Sequence, residues 1–337
     1  MSRLTHLDDV CFPVEEHPVF ASVRNETGEK RIAIPQKKAI VNLKSGRVVG
    51  VVGSGYRLVT NREALEMASE CCQSVFPETK PSEWTVRATD APATGGHCYF
   101  DLVHNSACLD FSFVQAKDRP DVFGPFIRVT NSYNGLRALS FDIGFYRKVC
   151  RNGLIAPQSV IRFKFVHARS AIGEVIKFEI ARERLAGLQT SFTNYLGVLR
   201  DFPVGRNQFE SLAFAVLWIH KPKHAIPASK TAADWEALEN HLATMCDRYA
   251  NELGENAYAV FNVITEFASH PPENRCIYQD RHGFQRRAGA WLNDFSRECR
   301  LPGFSLEGHI EVIKKSDGGK QESSADRPGR REQIRPI

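Results

Sequence analysis

Hydrophobic positions change period once along this chain, and that change divides it. From Lys38 to Val166 apolar and polar residues alternate in short runs of period two, the pattern of half-buried strands. Ala39–Leu43 and Val48–Val52 are joined by Lys44-Ser45-Gly46-Arg47, a hairpin signal. Trp84–Thr89, His97–Val103 and Leu109–Gln115 follow as an expected antiparallel meander, and Val160–Val166 is the last strand of the series. Phe126–Thr130 and Leu139–Ile143 flank Asn131-Ser132-Tyr133-Asn134-Gly135, where Asn-Gly suits a tight hairpin. One helix interrupts the strands. Thr60 and Glu63 are spaced as a capping box, and Leu65, Met67, Ala68, Cys71 and Cys72 continue from it.

After His167 the period lengthens to about 3.6. Ile172 to Leu199 is expected to form one helix of about 30 residues, broken by Phe202-Pro203 and suited to packing or oligomerisation. Gln208–Ile219, Lys230–Leu253, Asn256–Ser269 and Gly283–Glu298 read as four more helices. The fold class is therefore α+β: an antiparallel β-sheet-rich N-terminal half with an inserted helix, then a long helix and a helical C-terminal half. Expected boundaries are an irregular or short-stranded lead-in over 1–37, a β-rich domain over 38–200, a helical region over 201–313 and a disordered basic tail over 314–337.

Charge changes this picture in one place. Between Phe126 and Val166 the basic residues Arg128, Arg137, Arg147, Lys148, Arg151, Arg162 and Lys164 face a single acid, Asp142. That excess of six exceeds the +5 of the whole 337-residue chain, so the remainder is slightly negative. Aromatic residues, Tyr133 and Tyr146 among them, are interleaved with these cations. Basic side chains neutralise phosphates and rings stack on bases, so nucleic acid is the expected partner, with single-stranded DNA favoured. Expected contacts are Arg128, Asn131, Tyr133, Arg137, Arg147, Lys148, Arg151, Arg162 and Lys164. An ordinary sheet with a solvated basic face would give the same composition.

Other chemistry is thinly supported. The nine cysteines fall at 11, 71, 72, 98, 108, 150, 246, 276 and 299, without C-x-x-C spacing, so neither a disulfide framework nor a zinc ribbon is expected. Phosphate-loop, dinucleotide-binding and serine-hydrolase motifs are missing, and no cofactor or metal is expected. Gly53-Ser54-Gly55 before the inserted helix is a weak anion-site signal. Cys150 stands beside Arg147, Lys148 and Arg151, which favour thiolate, and His167 is the nearby base in sequence. Asp101, Asp110 and Asp142 on neighbouring strands are the acids that could meet in space. No apolar run approaches a membrane span and Met1–Pro18 has no apolar signal core, so a cytoplasmic location is expected.

The succession GYRLVTNREALEMA at 55–68, FIRVTNSYNGLRALSFDIGFYRKVCRNGL at 126–154 and His167 before a long helix resembles the family known as domain of unknown function 932. The similarity covers roughly residues 38–200, and T-N-S-Y-N-G and V-C-R-N-G-L are its most specific parts. The resemblance implies a protein of plasmids, phages or integrated elements, without implying an activity. Three functional readings follow. The first is a nucleic-acid-binding protein that handles single-stranded DNA, as in annealing during recombination or replication, with a homo-oligomer formed through the long helix. The second is a regulatory or anti-defence protein that binds a host protein or a nucleotide signal. The third is a nucleic-acid-processing enzyme acting through Cys150 or an acidic cluster, less favoured than binding without catalysis.

Overall fold

The computed structural model describes residues 3–4, 6–25, 28–75, 79–104, 109–116, 119–147, 152–155, 162–165, 191–222 and 229–325. The chain is an α+β protein with a sheet-rich N-terminal half and helices in the C-terminal half. It forms two compact units. Unit 1 comprises Met1–Phe111, Asp121–Val149 and Ile155–Phe192; unit 2 comprises Ser112–Pro120, Cys150–Leu154 and Thr193–Ile337.

Unit 1 opens with β1 (Arg3–Leu4) and the single turn α1 (Leu7–Val10). Then comes a feature that the sequence pattern did not announce. Where an irregular lead-in was expected over 1–37, β2 (Val14–Asn25) and β3 (Gly28–Asn42) form a long antiparallel ribbon, extended by β4 (Arg47–Gly53) into a three-stranded sheet. Pro18 and Pro35, which read as breakers, fall at a register shift where Pro18 pairs with Lys38 but Phe20 pairs with Ala33. A bulge tolerates proline because no ladder donor is needed there. The expected β3–β4 hairpin is present. Asn42 Oδ1 accepts from the backbone N–H of Lys44 (2.8 Å) and Ser45 (3.1 Å), and Gly46 takes φ 67° to close the turn.

Helix α2 (Asn61–Val75) begins as its sequence predicts. The Thr60 N–H donates to Glu63 Oε2 at 2.7 Å and the Glu63 N–H to Thr60 Oγ1 at 3.1 Å, a reciprocal capping box. The larger sheet follows with β5 (Trp84–Pro92), β6 (His97–His104), β7 (Leu109–Ala116), β8 (Arg119–Ser132), β9 (Leu139–Arg147), β10 (Asn152–Ile155) and β11 (Arg162–Phe165). Its central path runs β1-β5-β6-β8-β9, with β11 antiparallel to β9. The expected simple meander is corrected here, because β6 pairs with β8 rather than with the next strand in sequence. Ile127, Val129, Phe141, Ile143 and Phe145 form an apolar face, and the Phe145 ring stacks on Phe192 at 4.5 Å.

Unit 2 is built from α3, helical over 191–201 and counted here from residue 193, with α4 (Arg206–Leu217), α5 (Lys230–Leu253), α6 (Ala257–Ser269), α7 (Arg281–Glu298) and α8 (Leu306–Ala325). Ser229, Asn256 and Asp280 are N-caps whose side chains accept from the N–H groups of Ala232, Ala259 and Gly283. Helix α6 is buried on nearly every side, and Phe295 gathers Phe202, Trp291, Phe304 and His309 around its ring at 5.0–5.7 Å. Helix α8 takes up the start of the tail that was expected to be disordered from residue 314. Most of the expected 30-residue helix lies outside the described residues.

Candidate nucleic-acid interface

The β8–β9 hairpin holds five of the nine residues nominated from the sequence, Arg128, Asn131, Tyr133, Arg137 and Arg147. Its strands part after Ser132 and rejoin at Leu139, so the turn is longer than the tight form expected, with Gly135 alone taking positive φ at 71°. Asn134 Oδ1 accepts from Ser132 Oγ (3.0 Å) and from the Leu136 N–H (3.1 Å), which folds the turn back on itself.

Of the five nominated residues whose side chains are described, four point into the protein. Arg128 is only 1% exposed, and its Nε and Nη2 donate to the two carboxylate oxygens of Asp101 at 2.5 and 2.6 Å. Register places Asp101, Arg128 and Asp142 side by side on three strands, and Arg162 stands opposite Asp142 on β11. Although burial alone would disfavour the charged guanidinium, Asp101 and then Asp142 more than offset it and raise the Arg128 pKa. The acids expected to meet in space do include Asp101 and Asp142, with a guanidinium between them where a metal site would need an open position. Among the described residues, no group of three His, Cys, Asp or Glu side chains could hold a metal ion.

Asn131 and Tyr133 are buried for a different reason. Asn131 Nδ2 donates to the Val59 carbonyl (2.9 Å) and to Asn61 Oδ1 (2.8 Å), while the Asn61 N–H donates to the Tyr133 phenol oxygen (2.8 Å). Asn61 Nδ2 donates onward to the Val10 carbonyl at 2.8 Å, and the Tyr56 hydroxyl donates to the Ser132 carbonyl. The T-N-S-Y and L-V-T-N segments thus lock the hairpin to the start of α2. Burial also pushes the Tyr133 phenol far above its ordinary pKa, so it is a neutral hydrogen-bonding group. Arg147 is buried at the end of β9 on the apolar face. Arg128, Asn131, Tyr133 and Arg147, expected as nucleic-acid contacts, are therefore buried within the sheet and its junction with α2. Arg137 is exposed at the turn; Lys148 and Arg151 lie outside the described residues, as do Cys150 and His167. Of Arg162 and Lys164, only the strand register is described, opposite Asp142 and Ser140.

Exposed basic residues also occur elsewhere in unit 1, in a run that sequence reasoning passed over. From Lys37 to Arg62 the chain carries six basic residues and no acidic one, on the end of β3, on β4 and on the link into α2. Lys37, Lys44, Arg47, Arg57 and Arg62 are exposed; Lys38 pairs with Glu16 at 2.7 Å, and Lys44 lies 3.9 Å from Asp9. The hairpin turn with Arg137 packs onto the same elements. Phe12, Ile40, Val49, Val52 and Tyr133 form their common core, and a Cβ on Gly50 would lie 2.1 Å from the Tyr133 carbonyl oxygen. A signal was available in the run itself, which holds six cations and no acid.

The model of a family described as a domain of unknown function (DUF932) matches residues 48–291, which takes in β4, the interlocked motifs and the helices through most of α7. No curated protein and no solved structure matches the chain. Among the described residues, no helix is long and apolar enough to cross a membrane.

Proposed function

The chain belongs to the domain of unknown function 932 family, and from that premise we propose that it binds nucleic acid through phosphate contacts made by Lys37, Arg47, Arg57, Arg62 and Arg137. The observation that carries this reading is the acid-free run Lys37–Arg62, exposed on elements that share one core with the Arg137 turn. Phosphate contacts of this kind are sequence-independent, and their signature is salt dependence. The expected stacking platform is not part of this surface, because Tyr133 and Tyr146 are buried. Single-stranded DNA is the first ligand to test and its duplex the second.

If all five cations neutralise a phosphate, log K should fall against log salt with a slope of about −4.5 on duplex or about −3.5 on a single strand. Replacing Arg47, Arg57 and Arg137 together by alanine should lower that slope by about 2.7 or about 2.1, respectively, without changing the melting temperature. Fluorescence anisotropy with a labelled oligonucleotide across a salt series reads both. Failure of the wild type to bind at low salt, or an unchanged slope in the triple variant, defeats the proposal.

A second reading has one observation in its favour. Phe20, Val23 and Ile32 are each about half exposed on the β2–β3 ribbon, on a stretch where Arg24, Lys30 and Arg31 are offset by Glu26 and Glu29. A near-neutral ribbon with apolar side chains suits a protein partner better than a polyanion. Loss of protein-partner binding in a Val23→Ser/Ile32→Ser variant, with the salt slope on oligonucleotides intact, would separate the two readings.

A further inference from the structure

The β2–β3 ribbon ends in an arm without a third strand. β4 pairs with β3 only over Lys37–Asn42, so among the described residues Phe20–Asn25 of β2 pair with Gly28–Ala33 of β3 alone. A two-stranded hairpin by itself is marginally stable in water, and a third strand or a helix is what normally steadies it. Ala21 stands opposite Ile32 and Val23 opposite Lys30, which puts Ala21, Val23 and Ile32 on one face; Phe20, Ser22 and Arg24 take the other. Val23 is 46% exposed, Ile32 47% and Phe20 52%, so apolar side chains meet water on both faces.

The three-stranded sheet has two edges, and they differ. β4 packs on the β8–β9 turn at Gly50, whereas among the described residues no strand pairs with the outer edge of β2 along its 12 residues. An unpaired edge is a template for another strand. Charge on this edge is divided by position, with Glu15 and Glu16 near its start and Arg24 near its end, all three exposed. Such a strand complements itself when two copies run antiparallel and sets like charges together when they run parallel. Lys38 donates to Glu16 Oε1 at 2.7 Å, yet 40% of the Glu16 side chain stays exposed, and a carboxylate accepts from more than one donor.

We propose that β2 pairs edge to edge with β2 of a second copy of this chain, antiparallel about a two-fold axis. The inference rests on the protein-partner reading of the ribbon and names that partner; it is independent of the phosphate contacts. A slip of one residue would exchange the two faces, so like faces stay together only when even positions meet even ones. With Phe20 opposite its own copy, Glu16 faces the partner's Arg24 at both ends, and the two Phe20 rings form a cross-strand aromatic pair. The arms of the two copies then join in a single sheet with the three or more strands that independent stability requires. Because the same edge is used on both copies, the contact closes at a dimer.

The test is sedimentation velocity of the full chain from about 1 to about 100 µM, a range suited to a contact smaller than a standard interface. Wild type should pass from one chain to two across that range. Arg24→Glu and Glu16→Lys should each weaken the dimer by about tenfold or more, since each turns both attractive pairs into like-charge pairs. Mixing the two variants should restore it, because opposite charges then face each other at both ends. Each variant counts at the wild-type melting temperature; Arg24 is exposed, so Arg24→Glu carries the test if Glu16→Lys, which also meets Lys38, unfolds. Wild type that stays monomeric at the highest concentration overturns the self-pairing but not the partner reading, which has its own test in Val23→Ser/Ile32→Ser. A dimer that Arg24→Glu leaves unchanged, or a mixture no tighter than either variant alone, overturns it as well.

Discussion

Replacing Arg128 by glutamine separates a cation that builds the fold from one that binds a ligand. In the native protein the guanidinium is 1% exposed, donates two short hydrogen bonds to Asp101, and stands next to Asp142 in register. Glutamine removes the two charge-assisted hydrogen bonds to Asp101 and the guanidinium that neighbours Asp142. Breaking a buried ion pair by removing one partner costs about 3–5 kcal/mol. Domains are stable by about 5–15 kcal/mol, so the loss is a large share of what unit 1 has. At about 2–4 °C per kcal/mol, its melting temperature should drop by roughly 6–20 °C. Asp101→Asn should cost less, about 3 kcal/mol, because Asp142 still faces the guanidinium. Combining the two substitutions should cost less than their sum by about 1–3 kcal/mol, the coupling of residues in direct contact. Urea unfolding followed by circular dichroism measures all three variants. The reasoning fails if Arg128→Gln unfolds within about 0.5 kcal/mol of wild type, the range of an ordinary surface substitution. It also fails if that variant loses oligonucleotide affinity as Arg137→Ala does while keeping its stability, since Arg128 would then be a ligand contact.

Other consequences are simpler to state. Gly50→Ala would place a Cβ 2.1 Å from the Tyr133 carbonyl oxygen and 2.7 Å from the Asn134 Cα, so β4 must part from the hairpin at a cost of about 1–3 kcal/mol or more; Gly53→Ala, which meets open space, should unfold like wild type in the same thermal melt. Burial lowers the His309 pKa below its ordinary 6.5 although Glu298 opposes the shift, so the folded imidazole stays neutral where the unfolded one takes a proton. That contribution is complete above pH 6.5 and is lost as pH falls through the folded value; stability of unit 2 should decline as pH falls below 6.5, and His309→Gln should flatten the decline. Iodoacetamide labelling mapped by mass spectrometry should mark Cys11 and Cys299, which are half-buried, well before Cys72, Cys98 and Cys246; burial pushes Cys246 up to about 12 and leaves little thiolate at neutral pH. Labelling of Cys98 as fast as Cys11 in the native protein would contradict this packing.

Local signals were legible wherever the information sits within a few residues. The Thr60–Glu63 box, the Asn42–Arg47 turn and the limits of α5, α6 and α7 match their sequence patterns closely, because caps, turns and the 3.6 period are short-range physics. The β2–β3 ribbon was missed because Pro18 and Pro35 break a strand pattern read along one chain. Their harmlessness depends on the partner strand, where the register slips past them. The pairing of β6 with β8 was equally invisible, since connection length says nothing about a strand that is bypassed.

Basic residues posed the harder problem. Arg128 alternates with Ile127 and Val129, and such alternation establishes that a strand has two unlike faces without establishing that the polar one meets water. What buries Arg128 is Asp101, 27 residues earlier and one strand away. A cluster of cations in one segment therefore measures two quantities at once: charge offered to a ligand, and charge consumed by the sheet. Asn131, Tyr133 and Asn61 show the same division among neutral groups, because their hydrogen bonds close the hairpin onto α2. Side chains committed in this way would have to give up buried partners to reach a ligand, at a cost of about 1–3 kcal/mol for each group left unsatisfied. Arg47 is exposed at the start of β4, already in water. Binding energy for a polyanion is therefore better sought on Lys37–Arg62 and at Arg137 than among the residues that make the hairpin distinctive.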